Sequence, residues 1–349
     1  MLDDLATLDR VDRQGTRRIL AEFPTQCRRA RTLAATPPPS GARPRLVVVA
    51  GMGGSAASGD VLAACGVDRV DVPILVHRDY GLPAAVGRDA LVIASSYSGE
   101  TEEALSAAET AIARGVPVVA ITAGGALAAL AVARGLTRVM LPTGLMPRMA
   151  LGYLLLPALA VLRGCGVEVA TAADEDEAVE TLEALAGALS FERPAADNHA
   201  KQIALEIGAR VPVVYGAGPL AGVAYRWKTD LEEFAKTFAL AGALPEMNHN
   251  EIEAWRMPDA RGLHLVLLRD PAELPEIARR YAVMRELVVP AAGGLSETWA
   301  HGRGRLARLL SLTYLGQWVA YYLAALRGAD PWAVPLLDEM KRRLRGGSP

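Results

Sequence analysis

Two clusters of small and hydroxyl-bearing residues carry the first chemical signal. Gly51-Met52-Gly53-Gly54-Ser55 follows the apolar run Leu46-Val47-Val48-Val49-Ala50 and precedes an Ala-rich helical stretch. A strand-to-helix junction of this kind leaves backbone N–H groups free and points the positive end of a helix dipole at whatever sits there, so it suits an anion. The spacing Gly51-x-Gly53-x-x-Ala56, with Asp79 after the next apolar run, also fits a dinucleotide fingerprint, and a ligand-free tight turn fits as well. The second cluster, Ser95-Ser96-Tyr97-Ser98-Gly99-Glu100-Thr101-Glu102-Glu103, lies at another such junction. Ser98 or Thr101 is open to an N-cap role there, with Glu102 or Glu103 easing the dipole. A dinucleotide fold does not call for a second hydroxyl-rich turn, whereas a sugar phosphate clasped between two strand ends uses both. The pair therefore favours Gly53, Gly54, Ser55, Ser96, Ser98 and Thr101 as phosphate ligands.

Titratable residues follow at wider spacing. Asp230 to Lys236 is helical by pattern and offers the adjacent acids Glu232 and Glu233, of which only one faces a given direction. Asn248-His249-Asn250-Glu251 is a polar knot after a proline, and an imidazole there suits proton shuttling near neutral pH. His77, His199, His264 and His301 read as hydrogen-bonded structural histidines. Arg148 opens an apolar helix, where a cation disfavours the dipole, and the placement asks for an anionic partner. Lys341 stands in Met340-Lys341-Arg342-Arg343, either as a functional cation or as a solvated tail charge.

The elements that must position these groups are legible from the apolar pattern. Runs at 46–50, 72–76, 90–94, 116–121 and 139–141 alternate with helical stretches such as 55–65 and 101–114. Apolar runs without polar alternation, separated by helices, predict a parallel sheet covered on both faces. The opening segment reads as one helix, followed by the connector Thr36-Pro37-Pro38-Pro39-Ser40-Gly41, and 150–164 as a long buried helix. The acidic stretch from Asp174 starts another helix. Strand runs at 211–215, 263–268 and 287–289 imply a second α/β unit, closed by helices at 309–326 and 334–344. We expect a first domain over 1–165, a helical linker over 166–194 and a second domain over 195–349. The length of 349 residues agrees with two cores, and a hydrophobic share of 51% with 22% charged residues marks a folded chain. A net charge of −2 gives no broad footprint for nucleic acid but leaves room for a local cationic pocket. Three scattered cysteines, Cys27, Cys65 and Cys165, suggest neither a disulfide framework nor a zinc site. The N-terminus lacks a signal-peptide pattern, the apolar stretch 150–162 is short of a membrane span, and a cytoplasmic location is expected.

The Gly-Met-Gly-Gly-Ser loop followed by Ser-Tyr-Ser-Gly-x-Thr-Glu-Glu resembles the sugar isomerase (SIS) domain. Leu244-Pro245-Glu246-Met247-Asn248-His249-Asn250-Glu251-Ile252 and Leu337-x-x-Met340-Lys341 are similar to the bifunctional phosphoglucose/phosphomannose isomerases, and the resemblance covers nearly the whole chain. It implies two doubly wound α/β SIS domains with mainly parallel sheets, a homodimer, and exchange of glucose 6-phosphate or mannose 6-phosphate with fructose 6-phosphate without a metal or other cofactor. From the near-neutral charge and the short apolar stretches, no nucleic-acid or membrane partner is expected. Aldose–ketose isomerisation needs a base beside the carbonyl and groups that open the ring. By resemblance Glu233 is the base, three residues before Lys236 in a Glu-x-x-Lys pattern, with Glu232 the fallback. His249 and Lys341 open the ring, and Arg148 steadies the enediolate. In related isomerases the histidine reaches a neighbouring subunit's site. Glu100, Phe234 and Met340 depart from the residues typical of the family. The competing expectation is a non-catalytic sugar-phosphate sensor built on the same domains.

Overall fold

A computed structural model of the chain describes residues 2–39, 42–344 and 346. Ser40 and Gly41 of the expected connector therefore lie outside the described residues. Five strands, β1 (Leu46–Ala50), β2 (Ile74–His77), β3 (Ala90–Ser95), β4 (Val118–Thr122) and β5 (Thr137–Met140), form a parallel sheet in the order β2-β1-β3-β4-β5. Four more, β6 (Val211–Ala217), β7 (Leu240–Leu244), β8 (Leu263–Arg269) and β9 (Gly294–Trp299), form a second parallel sheet in the order β7-β6-β8-β9.

The alternation of side chains explains why the central strands are largely apolar on both faces. Val47 and Val49 of β1 face one core, Val48 and Ala50 the other. Val266 and Leu268 of β8 join the core shared with the first sheet, whereas Leu265 and Leu267 face a third cluster on the far side. The chain thus holds one continuous central core between the two sheets and one outer layer on each.

The opening segment is three short helices rather than one: α1 (Leu5–Val11), α2 (Thr16–Ala21) and α3 (Phe23–Ala30). The chain turns after α1, where the Asp12 carboxylate accepts the Thr16 and Arg17 N–H groups. α4 (Gly53–Gly66), α5 (Glu102–Arg114) and α6 (Gly125–Ala133) cover the first sheet. α7 (Leu151–Gly164) and α8 (Ala172–Leu189) lead away from it, the latter opened by a Thr171/Asp174 capping box. α9 (His199–Ile207), α10 (Ala221–Ala235), α11 (Pro275–Val288), α12 (Arg305–Leu326) and α13 (Pro335–Leu344) belong to the second half.

Residues 287–289, expected as a strand, close α11 instead. Tyr281, Met284 and Val288 recur at helical spacing and are buried, so the amphipathic period outweighs the local β-branched pair. The apolar pattern does not announce β7 and β9, because edge strands of small or polar residues give no apolar run. α12 is long and apolar enough to cross a membrane, yet 94% of that window is buried inside the protein, packed on α8, α9 and α10. It is the central helix of the shared core. Cys27, Cys65 and Cys165 are free, and the first two are buried.

Candidate active site

In each sheet the chain order reverses beside the first strand, and crevices at such switch points open at the carboxyl ends of the strands. In the first sheet the switch lies between β1 and β3, whose following loops are the two clusters that the sequence singles out. A cavity of about 440 Å³ opens there, lined by Gly53, Gly54, Ser55, Ser98 and Thr101 of those loops. Arg148, Glu233 and Lys341 line it from other parts of the chain.

Local chemistry shapes each wall. Gly53, the first residue of α4, takes a φ of +50°, which few side-chain-bearing residues adopt. A Cβ on Gly54 would lie 2.7 Å from the Pro147 carbonyl oxygen and 2.8 Å from the Arg148 Cα, so only glycine lets the helix start touch the Arg148 turn. The Ser55 hydroxyl accepts the Tyr97 N–H at 3.2 Å and ties the two loops together. Ser98 is exposed to the cavity, its Oγ accepting the Glu100 N–H at 3.2 Å. Thr101 is the N-cap residue of α5, without a side-chain capping bond.

Ser96 does not line the cavity. It is fully buried, its Oγ sharing a 2.8 Å hydrogen bond with Thr101 and accepting the Gly99 N–H at 3.0 Å. It holds the turn from within. The Glu100 carboxylate accepts the Ala126 N–H at 3.0 Å, in the first turn of α6, so part of its charge is met by that helix start.

Glu233 lies two residues from the end of α10, with its side chain 28% exposed. Glu232 turns elsewhere and takes a salt bridge from Lys228 at 2.7 Å, which resolves the adjacent pair in favour of Glu233 as the cavity-facing acid. Arg148 is not a surface arginine: it is 2% exposed, on a single 3₁₀ turn (Pro147–Met149) just before α7. Its Nη2 donates to the carbonyls of Pro331 at 2.8 Å and Trp332 at 2.7 Å, and its Nη1 lies 3.3 Å from Glu233 Oε2. The guanidinium also stands 4.9 Å over the Phe234 ring, so the departure at position 234 supplies a cation–π surface. Burial pulls the Arg148 pKa below its ordinary value, with Glu233 and Asp230 opposing the shift.

Lys236 follows α10 in a left-handed conformation, φ 53°, and its Nζ donates back to the Glu233 carbonyl at 2.5 Å. Burial, then the neighbouring Arg148, lowers its ammonium to about 8. Lys341 reaches the cavity from α13, a helix with no buried residues, whose Val334-side entry, Leu337 and Met340 form an apolar wall with Met52 and Met146. Sequence reasoning missed that wall, because its members lie on three separate segments.

His249 does not join this cavity. It is exposed on the 3₁₀ turn Glu246–His249 after β7, while its neighbours satisfy one another. Asn250 Nδ2 donates to Glu246 at 3.0 Å, and the Tyr215 hydroxyl donates to Glu251 at 2.9 Å. His77, His199 and His264 are hydrogen-bonded to Gly81, Thr298 and Ser296, and His301 is exposed. Among the described residues no cluster of three His, Cys, Asp or Glu side chains is arranged to hold a metal ion.

Residues 42–140 match the SIS domain family, and residues 196–344 match the bacterial phospho-glucose isomerase C-terminal SIS domain family. A bifunctional phosphoglucose/phosphomannose isomerase of Caldicellulosiruptor bescii is 38% identical over 301 residues, 85% of this chain and 89% of that protein. This chain belongs to the bifunctional phosphoglucose/phosphomannose isomerase family. The relative of that name in Aquifex aeolicus is 35% identical over 86% of this chain and 90% of its own. The crystal structure of a glucose-6-phosphate isomerase like protein from Thermus thermophilus shares the fold, with a TM-score of 0.64 over 98% of both chains at 23% identity. In this member of the family the first SIS unit supplies the glycine and hydroxyl loops, and the second supplies Glu233 and Lys341 across the shared core.

Proposed function

We propose that the protein interconverts glucose 6-phosphate or mannose 6-phosphate with fructose 6-phosphate, in the cavity between its two sheets. One observation carries the reading: Glu233, Arg148 and Lys341, drawn from three distant segments, face the same cavity as the glycine and hydroxyl loops. Gly53, Gly54, Ser55, Ser98 and Thr101 hold the phosphate, with Ser96 shaping the turn behind them. The Glu233 carboxylate removes the proton from C2 of the open-chain aldose and returns it to C1, while a proton passes from O2 to O1. Charge builds on the two oxygens of the enediolate between these transfers, and the Arg148 guanidinium opposes it. Lys341 assists ring opening.

His249 completes ring opening from a second copy of the chain. Its exposure and its absence from the lining of its own chain's cavity support that assignment. The domains divide as 1–165, 166–194 and 195–349, and the free cysteines favour a reducing compartment.

The decisive assay is fructose 6-phosphate formation from each aldose phosphate, with chelator present, for the wild-type chain and Glu233→Gln. Turnover lost in the variant with sugar-phosphate binding kept supports the isomerase and its base. A folded wild-type chain that binds sugar phosphate without turning it over would make the protein a sensor.

A further inference from the structure

Behind the cavity, and not lining it, lies a buried group of polar side chains. Arg226 is 4% exposed and Asp230 1%, one turn apart on α10. Arg226 Nε donates to Asp230 Oδ2 at 2.9 Å, and its Nη2 lies 2.8 Å from Oδ1. The same Nη2 donates to the backbone carbonyl of Arg148, which also accepts from Gln317 Nε2 of α12 at 3.4 Å.

These contacts close a loop. The Arg148 backbone is fixed to α10 through Arg226, and the Arg148 guanidinium meets Glu233 two turns further along the same helix. Asp230 sits three residues before Glu233 and orients the Arg226 fork, so these two anchors of Arg148, one on its backbone and one on its guanidinium, ride on one rigid element. A buried ion pair is weak evidence of stabilisation, since well-packed apolar replacements are often neutral or better. Burial also pushes the Asp230 carboxyl up, against the pull of Arg226. The pair's placement at the junction of α10 with the Arg148 turn points to a role other than stability.

We infer that Arg226 and Asp230 are positioning residues that set the separation between the Arg148 guanidinium and the Glu233 carboxylate. The inference rests on the roles proposed above for those two groups. Neither Arg226 nor Asp230 lines the cavity. Their effect falls on the proton-transfer step, where a displacement of about 1 Å lowers the rate roughly 100-fold.

Two variants test it. Arg226→Lys keeps a cation beside Asp230, but a single ammonium cannot replace the fork that also reaches the Arg148 carbonyl. The double variant Arg226→Met/Asp230→Leu removes both buried charges and preserves apolar volume. The expected result for Arg226→Lys is a melting temperature within a few degrees of wild type, kcat lower by roughly 10- to 100-fold and KM within about threefold. With deuterium at C2 of glucose 6-phosphate, the isotope effect on kcat should rise, because proton transfer becomes slower relative to the other steps. The double variant should recover its melting temperature without recovering kcat. A folded variant of either kind that turns over within about threefold of wild type, with an unchanged isotope effect, overturns the inference. If the double variant fails to fold, Arg226→Lys decides alone. Glu233→Gln is assayed in parallel: turnover surviving in it refutes the base assignment, whereas its loss beside active Arg226 variants refutes only the positioning role.

Discussion

Replacing Arg148 by methionine separates structural from chemical contributions at the centre of the site. The substitution keeps an unbranched apolar side chain over Phe234 but removes the donors to Pro331 and Trp332, bonded at 2.8 and 2.7 Å. Each buried carbonyl left without its donor destabilises by about 1–3 kcal/mol. Against this, the guanidinium is buried at a desolvation penalty large enough to lower its pKa, and methionine carries no such penalty. The Glu233 contact at 3.3 Å adds little, because that carboxylate is 28% exposed and screened by solvent. The net loss is about 2–4 kcal/mol. A chain with an ordinary stability of about 5–15 kcal/mol remains folded at 25 °C, so kinetics then report on intact enzyme. Loss of one preorganised charge at a developing oxyanion lowers kcat by roughly 10²- to 10³-fold. Arg148→Lys keeps the charge without the fork and should fall between the two. Thermal melting and fructose 6-phosphate formation, measured on the same preparations, give both quantities. A methionine variant that melts as expected yet turns over within about threefold of wild type would reduce Arg148 to a tie, and one unchanged in both would refute the geometry itself.

Other expectations follow from separate parts of the molecule. Ser96→Ala removes the buried acceptor of the Gly99 N–H and should lower stability by about 1–2 kcal/mol with KM nearly unchanged. Ser98→Ala should do the reverse, raising KM for sugar phosphate by roughly 3- to 10-fold without moving the melting temperature; equal KM effects at the two positions would contradict the assignment. Mixing His249→Ala and Glu233→Gln chains should regain up to about one quarter of wild-type activity if each site draws on two copies, and none if a site is complete within one chain. Burial pushes the His264 imidazole down to about 4, from 6.5. The unfolded chain then binds a proton that the folded chain refuses, so stability is full above about pH 6.5 and falls as the pH drops toward 4, by on the order of 3 kcal/mol. Urea unfolding at both ends of that window should show a smaller loss for His264→Gln, and equal losses would disprove the linkage.

Central strands were legible because both of their faces are buried. β1 is apolar throughout, β3 from Ala90 to Ala94 and β8 from Leu265 to Leu268, and such runs are a pattern the eye can find. β7 (Leu-Ala-Gly-Ala-Leu) and β9 (Gly-Leu-Ser-Glu-Thr-Trp) lie at sheet edges, where one partner is missing and composition is released, so no run announces them. The same distinction governs the site. The glycine and hydroxyl loops are local motifs, each written in consecutive residues beside its strand. Whether a hydroxyl in such a loop faces ligand or backbone depends on the closure of the turn, which is why Ser96 and Ser98 read alike in sequence and diverge in space. Arg148 meets Pro331 and Trp332 from the far end of the chain, and Arg226 reaches the Arg148 carbonyl only because α10 packs against the central helices. No spacing rule encodes contacts of that kind. The i,i+4 arrangement of Arg226 and Asp230 was visible in the sequence, but on a solvated helix the same pair contributes only a few tenths of a kcal/mol. Its burial against a backbone carbonyl is what turns an ordinary pair into a link between the two groups that the chemistry requires.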